Sequence, residues 1–146
     1  MFMGTKRFLG MALIAALFVA AGWPARAPAQ ADNVNRVFSA PFDRVWTVAR
    51  STLIGRGWDI DKEDREGGWI RTTARRLEGE DYGVYAKGTR QRVRLVLKAI
   101  DPNRTQVTVE RRVWKQERIL WMDKEEDLPT DQKTEKQLLD AIAAAL

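Results

Sequence analysis

The clearest hydrophobic pattern along the chain is a change of period between residues 41 and 73. Apolar residues first recur at intervals of three and four positions, which predicts one face of an α-helix. This face consists of Phe42, Val45, Trp46, Ala49 and Leu53. From Trp58 onward apolar and polar residues alternate, as in a half-buried strand, and residues 64–68 have the composition of a turn. The stretch therefore predicts a helix followed by a β-hairpin.

The ends of this helix are marked by residues with special backbone preferences. Pro41 fits a first-turn position, where the missing N–H costs nothing. Gly55 and Gly57 bracket the other end, since glycine accepts the left-handed geometry of a C-terminal cap. A helix that leads directly into an antiparallel hairpin is expected to lay its apolar face across that hairpin.

Two later segments alternate strongly enough to predict strands. In residues 89–100 one face carries Gln91, Val93, Leu95, Leu97 and Ala99, and the other carries Arg90, Arg92, Arg94, Val96 and Lys98. A turn at residues 101–104 leads to a second strand over residues 105–114, whose inward row is Val107, Val109 and Val113. Arg111 interrupts that row, which predicts either a bulge or a strand end that leaves the core.

The remaining segments are less regular. Residues 36–40 predict a first strand. Residues 77–88 are too polar and glycine-rich to be assigned to an element, and residues 115–129 are unassigned. Within them, residues 119–122 form either a short strand or a cover for the sheet edge. Thr130 or Asp131 is expected to cap a final helix with an apolar stripe of Leu138, Leu139, Ile142 and Leu146.

The order of strand, helix, several antiparallel strands and helix predicts an α+β fold. We expect a two-layer, helix-grip-like arrangement: a curled antiparallel sheet with an N-terminal and a C-terminal helix on one face. Length and pattern predict one such domain over residues 32–146.

The first 31 residues are typical of a cleaved secretory signal peptide. Lys6 and Arg7 precede an uncharged apolar stretch over residues 8–23, and Ala29 and Ala31 suit a signal peptidase. The alternative is an uncleaved anchor, but the apolar stretch is shorter than the roughly 20 residues that span a bilayer. We expect a periplasmic protein that begins at Asp32. It would carry no lipid, because no cysteine follows the cleavage site.

Composition narrows the chemistry. The chain has no cysteine and no histidine, which excludes disulfides, thiolate nucleophiles and imidazole bases. Removal of residues 1–31 lowers the basic residues from 25 to 22 against 20 acidic ones, so the net charge falls from +5 to +2. This small excess does not favour a nucleic-acid partner. We expect no cofactor.

Residues 38–46, 53–60 and 64–72 together resemble the helix-grip domains of BamC-like envelope proteins. The shared features are a Val-Trp helix, a Gly-Trp-x-Ile strand and a hairpin with Asp64, Gly68, Ile70 and Thr72. The resemblance implies a non-enzymatic accessory or scaffold subunit of an outer-membrane assembly complex in the cell envelope. The chain departs from that family in having no lipid-bearing cysteine and only one such domain.

The supply of catalytic groups is poor. The serines of the mature chain are Ser39 and Ser51, and no histidine can activate them. Asp59 and Asp61 share a strand face and could hold a cation or do acid–base work. The alternation alone predicts them as a solvated face opposite Trp58 and Ile60, and this interpretation is favoured. The acidic run at residues 123–127 lacks the spacing of a calcium loop. We therefore expect neither an enzyme nor a metal site.

One face of the predicted sheet is both basic and aromatic. Period two turns the following side chains outward: Trp69, Arg71, Arg92, Arg94, Arg112 and Trp114. Tryptophan and arginine are enriched at binding hot spots, so this face is the predicted partner-binding surface. The partner would be an envelope protein or an anionic membrane surface. The alternative is an ordinary solvated face whose charges guard against aggregation.

A second kind of function remains open. A gap between the final helix and the sheet is expected to suit an apolar ligand or lipid, with Tyr82 and Tyr85 on a possible lid. The protein would then be a periplasmic carrier. Bound lipid after purification would favour this alternative.

Overall fold

The computed structural model describes residues 33–146, so the predicted signal peptide at residues 1–31 lies outside the described residues. The elements are β1 (Val34–Phe38), α1 (Phe42–Gly55), β2 (Ile60–Asp64), β3 (Trp69–Thr72), β4 (Arg75–Asp81), β5 (Tyr85–Asp101), β6 (Arg104–Ile119), β7 (Met122–Leu128) and α2 (Lys133–Ala145). Within residues 33–146, no helix is both long enough and apolar enough to cross a membrane. The predicted α+β fold is confirmed.

The sheet is built around one long antiparallel pair, β5 and β6. Their register runs from Tyr85 opposite Ile119 to Asp101 opposite Arg104, and it shifts only next to the connecting turn. β3 and β4 follow each other along the outer edge of β5. In the same way, β1 and β7 lie end to end along the outer edge of β6. Each long strand therefore passes through two different environments.

Both helices cover only one half of one sheet face. Val93, Leu95 and Leu97 of β5 and Val107 and Val109 of β6 are at most 4% exposed beneath them. The helices contribute Val45, Trp46, Ala49, Leu53, Leu138, Leu139 and Ile142 to this core. The predicted inward faces are confirmed for most residues of both helices and both strands, because the 3.6-residue and two-residue periods bury apolar rows. Ala99, at the end of the predicted row of β5, is exposed instead.

Helix α1 begins at Phe42, so Pro41 precedes the helix and is not part of its first turn as predicted. Pro41 is the N-cap residue, with extended backbone, and its carbonyl accepts a hydrogen bond from the amide of Val45 at 3.1 Å. At the other end Gly57 has a φ of +79°, as a left-handed cap requires. The amide of Trp58 then donates to the carbonyl of Leu53, which seats Trp58 against the core.

The glycine-rich segment at residues 77–88 is not a loop. It forms most of β4 and the start of β5, which meet across Gly79 and Gly88. A Cβ on Gly79 would lie 2.0 Å from the carbonyl oxygen of Lys87, and Gly79 has a φ of +95°. These glycines therefore allow two backbones to approach closely next to a register shift, instead of ending a strand.

Residues 115–129 complete a second hairpin. β6 continues to Ile119, and β7 pairs back along it from Met122 to Leu128. The apolar group at residues 119–122 is therefore neither a separate short strand nor an edge cover, because it forms the end of β6, the two-residue turn and the start of β7. Leu120 adopts a φ of +54°, which is unusual for a residue other than glycine.

Both predicted explanations for Arg111 are wrong. The β5–β6 register shows no bulge at Arg111, and the strand does not leave the core there. The Arg111 side chain points under α2, where it is 9% exposed and donates to Glu135 and to Gln91 at 3.1 Å each. A charge from the C-terminal helix thus accounts for an arginine in the inward row.

Asp131, one of the two predicted caps of α2, lies one residue before the N-cap position. The N-cap residue is Gln132, which has a φ of 60°. Oδ1 of Asp131 accepts a hydrogen bond from the amide of Lys133 at 3.1 Å. A carboxylate at this end also suits the positive end of the helix dipole.

Candidate functional site

The sheet face opposite the helices, here called the outer face, carries the six side chains predicted to bind a partner. On β5 these residues alternate with the buried Val93 and Leu95. The register places Arg71 opposite Arg94, and Arg92 opposite Arg112. Three neighbouring strands thus bring together Trp69, Arg71, Arg92, Arg94, Arg112 and Trp114. Neither helix covers this face.

One end of the outer face is organised around Trp69. The ring is half-buried, and the guanidinium carbon of Arg94 lies 5.4 Å from its centroid. Arg94 also lies 3.5 Å from Glu110, and Arg71 forms a 2.6 Å ion pair with Asp61. Each of these two arginines therefore has an acidic neighbour within the chain that balances its charge without an external anion.

Trp114 lies on the outer face as predicted, but it is not exposed. Only 3% of it is accessible, because Arg92 and Arg112 cover its ring with guanidinium carbons 5.9 and 4.6 Å from the centroid. Its Nε1 is buried and has no hydrogen-bond partner within residues 33–146. Trp114 therefore holds the two arginines in place and does not present its ring to a partner.

Strand β7 supplies acidic groups to the outer face. Arg112 donates from Nε to Asp127 at 2.8 Å and from a terminal nitrogen to Glu125 at 3.1 Å. Partial burial acts to lower the pKa of Arg112, but these two hydrogen bonds outweigh it, so the pKa is raised. The sequence reasoning missed these partners. The signal was the spacing of Asp123, Glu125 and Asp127, which period two places on one strand face.

Arg92 differs from the other three arginines predicted to bind a partner. It faces Arg112 directly across the β5–β6 pair, and within residues 33–146 no carboxylate lies within ion-pair distance of it. Its Nε is buried without a hydrogen-bond partner among those residues. Like charges directly opposite each other destabilise a strand pair. Among the predicted partner-binding arginines, Arg92 is therefore the one whose charge is not balanced by a carboxylate within residues 33–146.

Toward the β6–β7 turn, the outer face becomes a set of internal ion pairs. Arg118 donates to Asp123 at 3.0 Å, and Arg90 pairs with Asp81. The hydrogen bond from Arg118 lowers the pKa of Asp123, with a further contribution from Gln116. The pKa of Asp81 is also lowered, chiefly by the hydrogen bond from the amide of Gly83 and then by Arg90.

Asp61, one of the two carboxylates singled out around Ile60, forms an ordinary ion pair. Asp61 accepts both hydrogen bonds from Arg71, at 2.6 and 3.1 Å. In residues 33–146, no group of three or more acidic side chains is arranged to hold a metal ion. These contacts favour the interpretation of Asp61 as part of a solvated, ion-paired face.

Tyr82 and Tyr85 lie at the β4–β5 turn. The amide of Tyr82 donates to the carbonyl of Tyr85 at 2.7 Å, which closes the turn. Tyr85 pairs with Ile119 at one end of β6, whereas α2 meets β6 at Arg111. The separation of these two points gives no support to the predicted role of the tyrosines as a lid over the gap beside α2.

No protein-family model matches the chain, and no curated protein matches it. Any function is therefore inferred from the outer face, where Arg92 lies beside the ion-paired Arg71, Arg94 and Arg112.

Proposed function

We propose that this chain is an exported, non-catalytic binding protein that serves as an accessory or scaffold subunit of a cell-envelope assembly complex. Its partner binds to the outer face. The observation that carries the proposal is Arg92, a half-buried arginine without an acidic partner among the described residues, beside the paired Arg112.

The chemistry of this position favours an acidic segment of another protein. Arg92 and Arg112 repel each other across the strand pair, and of the two only Arg112 has an acidic partner within residues 33–146. A carboxylate from a partner would add a charge-assisted hydrogen bond and remove the repulsion. Arg94 and the half-buried ring of Trp69 extend the contact area along the sheet. An anionic head group would satisfy Arg92 in the same way, and the experiment below separates the two.

The absence of catalysis and the envelope location are supported by the sequence. The chain contains no histidine or cysteine, and Ser39 and Ser51 are the serines of its predicted mature part. Residues 1–31 have the order of a secretory signal. The resemblance of residues 36–73 to BamC-like domains supports the assembly role.

The carrier alternative is less well supported. The space between α2 and the sheet is occupied by Leu138, Leu139, Ile142 and Val109, each at most 1% exposed. A ligand would have to displace them. A shallow surface depression lies instead at β4 and β5, where charged side chains such as Arg76, Glu80 and Arg90 line it.

The test reverses one charge. The full-length chain with Arg92→Glu is expressed and exported, cross-linked in cells, and compared with the wild type for captured envelope proteins. We expect the amount of captured protein to fall sharply and its salt sensitivity to disappear, because the unpaired cation is lost. Purified wild-type and variant proteins are also mixed with anionic vesicles. If Arg92→Glu abolishes binding to vesicles but leaves the amount of every cross-linked protein unchanged, the partner of the outer face is a membrane and not a protein.

Lys136→Glu is the matched control. Lys136 is exposed on α2, has no ion pair within residues 33–146, and lies on the opposite side of the sheet from Arg92. The control carries the same change of net charge, so capture should be normal. Denaturant melts verify that both variants fold. Normal capture by a folded Arg92→Glu variant would contradict the proposal.

A further inference from the structure

Two hairpin turns meet at the end of the sheet that lies beyond the helices. One turn joins β4 to β5 at residues 82–84, and the other joins β6 to β7 at residues 120–121. The amide of Leu120 donates to the carbonyl of Val84 at 2.7 Å, and Tyr85 pairs with Ile119. These contacts join the turns into one structure, which we call the tip: Tyr82, Val84, Tyr85, Ile119, Leu120, Trp121 and Met122.

The tip is apolar and exposed. Trp121 is 86% accessible, and the accessible fractions of Tyr82, Val84, Leu120 and Met122 lie between 58% and 68%. The other exposed apolar residues, such as Ile54 and Ile100, are scattered over the surface. A contiguous apolar group of this kind on a small domain marks a contact surface. Leu120 holds a left-handed φ of +54° to build it, which costs conformational energy.

The strands behind the tip carry charges of both signs in alternation. Glu80 lies opposite Lys87, and Glu117 lies opposite Lys124. Arg118 is paired with Asp123 on the outer face. These charged side chains next to the tip, here called the belt, therefore carry neither a net positive nor a net negative charge. A belt of this kind complements a surface on which positive and negative groups lie close together.

We propose that the tip inserts into the head-group layer of a phospholipid bilayer made of zwitterionic lipids. Such lipids present a phosphate and an ammonium side by side, which matches a belt of alternating acids and lysines. Tryptophan and tyrosine favour the membrane–water boundary, because one part of each ring system is apolar and another forms hydrogen bonds. Leu120, Val84 and Met122 provide the apolar surface that is removed from water.

The shape of the tip also favours a bilayer over a second copy of the chain. The apolar side chains project from two convex turns, so two copies would meet tip to tip over a small area. A stable protein–protein interface needs about 1,200 Å² or more of buried surface. A fluid bilayer deforms around a convex group and buries it without a matching groove.

This inference goes beyond the proposed function, since it uses different residues and a different kind of contact. The outer face acts through the unpaired charge of Arg92, and the tip acts through apolar surface. Membrane contact by the tip should therefore be insensitive to salt, whereas the contact made by Arg92 should weaken as ionic strength rises. Each proposal fails or stands without the other.

The test measures the depth of Trp121. The full-length chain carrying Trp23→Phe is mixed with vesicles of phosphatidylcholine whose acyl chains are brominated near the head group, and tryptophan emission is recorded. Trp46, Trp58 and Trp114 are at most 5% exposed, and Trp69 is half-buried beside Val96, far along β5 from the tip. Trp121, at 86% exposed, should therefore dominate the quenching. We expect quenching that persists at high salt. Adding Trp121→Phe should remove most of it.

Three further variants complete the experiment. Tyr82→Ser with Val84→Ser alters the other turn and should also reduce quenching. Ile100→Ser is the matched control, because Ile100 is 43% exposed at the opposite end of the β5–β6 pair, and it should have no effect. Arg92→Glu should leave quenching unchanged. Equal quenching with and without Trp121 would overturn the proposal, as would a Trp121-dependent dimer seen by light scattering without lipid.

Discussion

Arg111 and Glu135 form an ion pair between the sheet and the C-terminal helix, with Nε 3.1 Å from Oε1 and side chains only 9% and 2% exposed. One carboxylate oxygen of Glu135 has no hydrogen-bond partner among the described residues, whereas Arg111 also reaches Gln91 and Asp131. The pair joins α2 to the β6 strand at the border between the helix-covered half of the sheet and the uncovered half.

Removing one member of this pair should be costly. Glu135→Ala leaves the Arg111 guanidinium buried without its main partner, so we expect a loss of about 3–5 kcal/mol in the free energy of unfolding. Replacing both residues together, by Arg111→Met and Glu135→Leu, should recover most of that loss. A double-mutant cycle from denaturant melts measures the coupling. A single-variant loss below about 1 kcal/mol would show that the contact is not maintained in solution.

Trp46 should be a main contributor to the stability of the core. It is 5% exposed, its ring stacks with that of Phe42 at a centroid distance of 5.9 Å, and it lies between α1 and the sheet. Trp46→Ala should lower the free energy of unfolding by about 3–5 kcal/mol, as large-to-small core substitutions do. Ser51→Ala, at an exposed position of the same helix, is the control and should change it little. Similar melts for the two variants would contradict the packing of α1.

Two glycines should respond to alanine in opposite ways. Gly88→Ala would place a Cβ 2.1 Å from the carbonyl oxygen of Glu78, so β4 must move away from β5 and stability should fall. Gly55→Ala meets nothing within 4 Å at the end of α1, so it should raise stability by about 0.4–1 kcal/mol through the unfolded chain. Thermal melts of the two variants test the signs. Equal shifts would mean that the β4–β5 contact is looser than described.

The ion pairs near the tip should show a defined pH dependence. The lowered pKa of Asp123 means that its pairing with Arg118 stabilises the fold above the ordinary carboxyl pKa of 3.8. That stabilisation is lost as the pH falls through the lower pKa of the folded protein. The stability difference between wild type and Asp123→Asn should therefore shrink in acid and stay constant near neutral pH. A difference that grows as the pH falls would contradict the pairing.

Side-chain alternation was enough to predict which way most residues of β5 and β6 point, because a row such as Leu95 and Leu97 must face an apolar layer. It was not enough to predict accessibility. Trp114 points outward as expected, but its cover comes from arginines on its own strand and on the neighbouring one, and this depends on the register.

Residues 77–88 and 115–129 could not be assigned from the sequence for a related reason. Glycine and acidic residues ordinarily favour turns, yet Gly79 and Gly88 serve a close backbone contact, and the acids of β7 serve arginines on β6. Each of these residues makes sense only beside a partner that is distant along the chain. Local propensity contains no information about that partner, so the β4 and β7 strands were missed.

The uninterrupted β5–β6 pair also sets a distance between the two surfaces described above. From Arg112 to Ile119 the strand spans about 23 Å at roughly 3.3 Å per residue. This exceeds the screening length of about 8 Å at physiological ionic strength. The strand pair thus acts as a spacer: the charge of Arg92 does not influence the surroundings of Trp121. If both surfaces bind as proposed, a partner at Arg92 can exchange without weakening the contact made by Trp121.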